Sequence, residues 1–116
     1  MALKSGGCQC GRVRYTVEID LDDTITCNCS RCGRLGSVLS FAPAEAFTLL
    51  AGEDALTEYR FNTGKIVHAF CATCGIESFA RGAAPNGAQM AAVNVRCLDG
   101  IDVFVLAPTQ VNGAAF

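Results

Sequence analysis

Seven of the eight cysteines in this 116-residue chain fall in three tight clusters. Cys8 and Cys10 stand in CQCG, Cys27, Cys29 and Cys32 in CNCSRCG, and Cys71 and Cys74 in CATCG. Sulfurs spaced two or three residues apart are suited to a tetrahedral metal, and C-x-x-C followed by glycine is a common knuckle for one. Disulfides fit these residues less well, because C-x-C neighbours point awkwardly for bonding to each other. The knuckles CQCG and CATCG together supply four sulfurs, enough for a closed structural site with metal–sulfur bonds of about 2.3 Å. Joining residue 10 to residue 71 closes a loop of about 60 residues, which costs about 3.6 kcal/mol before the constant term. A structural zinc contributes roughly 10 to 16 kcal/mol, so binding outweighs closure and these four residues are better read as ligands than as buried thiols. Iron also suits an all-cysteine cage, but β-knuckles without a redox-partner motif favour zinc.

Cys27, Cys29 and Cys32 present three sulfurs where a closed site takes four. With Cys97 as the fourth, the second site is structural; without it, one coordination position is open, as in catalytic zinc sites. In VNVRC, strand alternation places Cys97 on the face of Val93 and Val95, which predicts a buried free thiol rather than a ligand. Arg31 and Arg34 lie beside the cluster, and a guanidinium can clasp a carboxylate through two hydrogen bonds. Surface arginines balancing the thiolates are the plainer reading of both. His68, the single histidine, stands in a strand-like run and reads first as a structural residue. Asp99 in LDG suits an Asx-type turn. Glu77 is readable either as an outward strand charge or as a site carboxylate, and Phe61, Phe70 and Phe79 read first as core and second as the wall of a pocket.

The elements that position these residues show a period of two. Val13, Tyr15, Val17 and Ile19 alternate with Arg12, Arg14, Thr16 and Glu18, the pattern of a half-buried strand. Short runs of strand character recur at TITC, SVLSF, FTLL, LTEYRF, IVHAF, IESFA, MAAVNVRC and IDVFVL, separated by turn signals such as NTGK, PNG and LDG. Only PAEAF, after Pro43, suits a brief helical turn. The reading is an all-β single domain over residues 1–116.

Composition narrows the function. With 51% hydrophobic residues the chain can build a core, and 9 basic against 11 acidic side chains leave a formal charge of −2. No basic run points to nucleic acid or to a membrane surface. The chain shows neither the apolar segment of a signal peptide nor about 18 consecutive apolar residues, which predicts a soluble cytoplasmic protein. Loading seven deprotonated cysteines with two divalent ions takes the charge to about −5, so an anionic substrate would need a local basic patch such as Arg31 and Arg34.

Taken together, GGCQCGRVRY, CNCSRCGRLG, FCATCG and VNVRCLDG resemble the family of glutathione-dependent formaldehyde-activating enzymes, whose domain is shared with centromere protein V. The resemblance implies an Mss4-like fold of several small coiled antiparallel β-sheets holding two zinc ions. It implies a structural zinc on Cys8, Cys10, Cys71 and Cys74, and a second on Cys27, Cys29 and Cys32 with Cys97 outside both. Many members carry histidine where this chain has Gln9 and Asn28, a change that bears on local hydrogen bonding rather than on metal binding. The implied activity is that of a carbon–sulfur lyase run towards condensation, in which glutathione and formaldehyde give S-hydroxymethylglutathione at the three-cysteine site. Three thiolates damp the Lewis acidity of zinc and suit it to holding a soft thiol. A non-catalytic zinc-binding β module for a protein partner is the alternative, as the centromere-protein relatives suggest. The basic or disordered segments that accompany such modules are not found in this chain, which favours the enzyme.

Overall fold

The computed structural model describes residues 2–115. In chain order these form β1 (Ala2–Gly7), β2 (Arg14–Ile19), β3 (Ile25–Cys27), the short helix α1 (Cys32–Leu35), β4 (Leu39–Pro43) and β5 (Phe47–Ala51). They continue with β6 (Leu56–Tyr59), β7 (Val67–Cys71), β8 (Glu77–Ala83), β9 (Gln89–Asn94) and β10 (Thr109–Val111). The fold is all-β, as its alternating pattern requires. One sheet has the order β1-β2-β5 and the other β10-β3-β4-β9-β8-β7-β6. Neighbouring strands are antiparallel except β10, which runs parallel to β3. Among the described residues no helix is long and apolar enough to cross a membrane.

The two sheets share one core. Val13, Tyr15, Val17 and Ile19 are each at most 1% exposed, so the period-2 reading of this segment holds in full. Tyr15, Phe47 and Phe79 form an aromatic cluster with centroids 4.6 to 5.7 Å apart, joining β2, β5 and β8. The Tyr15 hydroxyl donates to the Ser78 carbonyl at 3.1 Å, and burial pushes its pKa well above the ordinary phenol value. Tyr15→Phe should therefore lower unfolding free energy by about 1 to 2 kcal/mol, because it orphans a buried carbonyl while preserving the ring. Urea unfolding of the metal-loaded protein measures this.

Three local expectations are corrected. The run IDVFVL is not a strand: Asp102 accepts from the Phe104 N–H at 3.0 Å and caps a 3-10 turn at Val103–Val105. In the same way, β9 stops at Asn94, whose side chain accepts from the Arg96 N–H at 3.2 Å and opens a 3-10 turn at Val95–Cys97. In both, a short polar side chain captures a backbone donor that an extended ladder would need. The third correction is Asp99, whose carboxylate takes both arms of the Arg14 guanidinium instead of closing an Asx turn. The brief turn after Pro43 is present, as a 3-10 turn at Ala44–Ala46, but it is not the only one: Cys32–Leu35 forms α1 and Glu53–Ala55 a further 3-10 turn.

Candidate metal centres

The fold gathers the cysteines into two separate clusters. Cys8 and Cys10 follow β1, while Cys71 ends β7 and Cys74 lies in the turn before β8. Sequence-distant knuckles thus meet, and their four sulfurs lie within 4.8 Å of one another. The Cys8–Cys10 and Cys10–Cys71 sulfur separations are 3.6 and 3.7 Å. A tetrahedron with bonds of about 2.3 Å has edges of about 3.8 Å, so the spacing fits a four-thiolate ion. Backbone amides are turned onto the sulfurs: Val13 N–H donates to Cys8 Sγ at 3.3 Å and Thr73 N–H to Cys71 Sγ at 3.4 Å. The Ile76 and then the Cys10 backbone N–H bring the Cys74 thiol down to about 6. Gly11 and Gly75, which follow the knuckles, have φ values of 83° and 79°, a left-handed turn that a side chain would strain. Arg12 Nη1 donates to Thr73 Oγ1 at 3.2 Å and ties the two knuckles outside the sulfurs.

The second cluster is built locally. Cys27 ends β3, Cys32 opens α1, and the chain folds back between them so that three sulfurs lie within 4.8 Å of one another. Cys29 N–H donates to Cys27 Sγ at 3.5 Å, and Cys32 N–H donates to Cys29 Sγ at 3.3 Å. Burial works against the Cys29 thiolate, but backbone and thiol donors from Cys32, Arg31 and Cys27 hold its pKa below the ordinary value. Cys32 is pushed up to about 12, by burial and then by Cys29 and Cys27. One thiolate is thus easily formed and a further one is resisted by its neighbours, the electrostatic demand that a bound cation relieves. The residues fit a three-thiolate ion. Cys97 belongs to neither cluster and is a free thiol, but it is half-buried in a 3-10 turn and not buried on a strand face as alternation predicts; burial and the nearby Cys8 push its thiol up to about 11.

Beside the second cluster lies a cleft of about 450 Å³ lined by Ser30, Arg31, Arg34, Leu35, Tyr59 and Phe61. Arg31 crosses from the cysteine loop to β8, where its Nε and Nη2 donate to Glu77 Oε1 at 3.0 and 2.7 Å. Its guanidinium lies 4.6 Å from the Tyr59 ring centroid. The second Glu77 oxygen meets His68 Nδ1 at 3.1 Å, making an Arg31–Glu77–His68 chain that is buried at the carboxylate and imidazole and half-buried at the guanidinium. Arg34 is exposed, and its Nη1 donates to the Ser30 carbonyl at 2.9 Å.

A family model described as glutathione-dependent formaldehyde-activating enzyme matches residues 3–111. The chain belongs to the glutathione-dependent formaldehyde-activating enzyme family. It is also similar to the crystal structure of a Rhodobacter sphaeroides protein, with 31% identity and a TM-score of 0.82 over 91% of this chain and 97% of that one.

Within this formaldehyde-activating family member, the cysteines fall into the two sets that their spacing predicts, and Arg31 and Arg34 share the rim of one cleft. His68 is buried, 5% exposed, with Nδ1 against Glu77 Oε2 and its buried Nε2 without a hydrogen-bond partner among the described residues. The sequence reading left the role of Glu77 open and passed over Tyr59. Alternation from Phe79 does not find Glu77: a bulge sets Glu77 opposite Phe70 and Phe79 opposite Ala69, which turns Glu77 to the face of His68 and away from that of Phe79. Phe79 is core, whereas Phe61 and Phe70 are only half-buried and Phe61 lines the cleft.

Proposed function

We propose that this chain is a zinc-dependent carbon–sulfur lyase that condenses a thiol such as glutathione with formaldehyde, with zinc in both cysteine clusters. The observation carrying this reading is the three-cysteine cluster, one ligand short of a tetrahedron, beside a basic and aromatic cleft in a chain of this family. Zinc held by Cys27, Cys29 and Cys32 would supply a place for an incoming sulfur and a lowered thiol pKa. The thiol sulfur forms a bond to the formaldehyde carbon, the carbonyl π pair moves onto oxygen, and that oxygen takes the proton the thiol gave up. The protein contributes chiefly by holding the two reactants together.

Glutathione carries two carboxylates. Arg34 presents its charge at the rim of the cleft without a carboxylate partner among the described residues, so it is the first contact for one of them. Arg31 is already neutralised by Glu77; it contributes a formed wall and its remaining Nη1 donor. Tyr59 and Phe61, with ring centroids 5.9 Å apart, give the peptide backbone a flat surface to lie on. Arg34→Ala should raise KM for glutathione about 10- to 100-fold while leaving kcat nearly unchanged, since a charge-assisted hydrogen bond is worth about 1.5 to 3 kcal/mol. Rates measured against glutathione concentration separate the two constants.

The test of the reading itself is exchange NMR on glutathione and formaldehyde with and without zinc-loaded protein. Acceleration of adduct formation over the spontaneous rate supports the lyase. An unchanged rate with two zinc ions bound rejects this substrate pair.

A further inference from the structure

We propose that Asn28, Asn112 and Gly113 are positioning residues of the three-cysteine centre, docking the 109–115 segment as a wall against Cys27 and Cys29. This rests on the reading of that cluster as a metal site. β10 pairs with β3 over only three positions, Thr109 with Ile25, Gln110 with Thr26 and Val111 with Cys27. A parallel pair this short has little stability of its own. It is extended by the Asn28 N–H, which donates to the Val111 carbonyl at 3.2 Å. Beyond it the Asn28 side chain uses both ends of its amide: Nδ2 donates to Asn112 Oδ1 at 3.0 Å, and Oδ1 accepts from the Ala114 N–H at 3.0 Å.

Between those two anchor points lies Gly113. A Cβ built there would collide with Cys27 Sγ and stand 3.4 Å from the Cys29 Cβ. Its φ is not in the left-handed region, so close approach to the sulfur, and not backbone conformation, is what requires glycine. Asn28 and Asn112 are exposed and bury nothing in the core, so an ordinary surface turn would have no need of this arrangement. Its effect is to fix the angle at which the Cys27 and Cys29 sulfurs present themselves. Main chain closes that flank, while Ser30 and Arg31, between Cys29 and Cys32, line the cleft from which a thiol would approach.

Groups that orient metal ligands without binding the metal typically cost about 10- to 100-fold in affinity when removed. The experiment is chelator competition on the full chain loaded with zinc, repeated with cobalt(II) for its thiolate absorption bands. Asn28→Ala and Gly113→Ala should each release one ion per chain at about 10- to 100-fold lower chelator concentration, with altered cobalt bands for that ion. The other ion and the thermal midpoint should match wild type. Asn112→Ala, at an exposed turn, should repeat the Asn28→Ala result, since it removes the other half of the same hydrogen bond.

Wild-type affinity and cobalt spectrum for both ions in Asn28→Ala and Gly113→Ala would overturn the proposal. So would loss of both ions in Gly113→Ala alongside wild-type behaviour in the two asparagine variants. A wild-type chain that binds one ion, unaffected by Cys29→Ser, would overturn the metal reading of the cluster and the proposal with it.

Discussion

Cys71→Ser leaves the chain unfolded even in excess zinc. Cys71 is fully buried at the end of β7, its sulfur is 3.7 Å from Cys10 Sγ, and the Thr73 N–H points at it. Replacing it leaves a small, poorly ligating hydroxyl in a site shaped for a thiolate. The cluster it completes joins the end of β1 to the β7–β8 turn, two segments far apart in sequence. A structural zinc contributes roughly 10 to 16 kcal/mol, against a total stability for a domain of this size of about 5 to 15 kcal/mol. Losing half of the metal contribution, about 5 to 8 kcal/mol, is comparable to that whole stability. Circular dichroism with zinc stoichiometry reads the result, and a folded mutant retaining full zinc would overturn the structural role of this cluster.

Cys29→Ser behaves in the opposite way, keeping the fold and losing the reaction. The Cys27–Cys32 segment is half-buried or exposed, α1 contains no buried residue, and β3 spans three residues at one side of the larger sheet. Few core contacts depend on it. The mutant should bind about one zinc fewer per chain, unfold within a few degrees of wild type, and show no acceleration of glutathione–formaldehyde exchange by NMR. Retained acceleration would place the chemistry elsewhere. Loss of both ions would mean that the two clusters are coupled, although the fold separates them.

The two predictions differ because the clusters depend differently on the fold. In the first, each knuckle is a local turn whose partner lies about 60 residues away, and the staple therefore carries the entropy of that loop. In the second, all three ligands come from one short stretch, and removing one frees little chain. Spacing alone separates these cases, which is why both groupings of cysteines are legible in the sequence. The surroundings of the second cluster were less legible. Glu77 and Tyr59 meet Arg31 of the cysteine loop from β8 and β6, with His68 of β7 behind Glu77, and only strand pairing puts those neighbours in register. Sequence does not separate Arg31 from Arg34 as candidates for a substrate carboxylate; in the fold the Arg31 guanidinium is taken up by Glu77 of the chain itself, and Arg34 stands at the rim without a carboxylate partner among the described residues.

The sequence by itself determined the strand-rich architecture, the inward face of β2 and the grouping of seven cysteines, because alternation and ligand spacing are local properties of the chain. Only the tertiary structure decided the ends of β9 and the fate of IDVFVL, where Asn94 and Asp102 captured amides that alternation would have given to a ladder. It also decided the existence of β1, whose sequence ALKSGG has little strand preference and which is held by six-residue pairing with β2. The wall at Asn112 and Gly113 belongs to the same class. It arises from a contact between residues 28 and 112, far apart in sequence, and a glycine in a terminal turn acquires its role only when a sulfur is found against it.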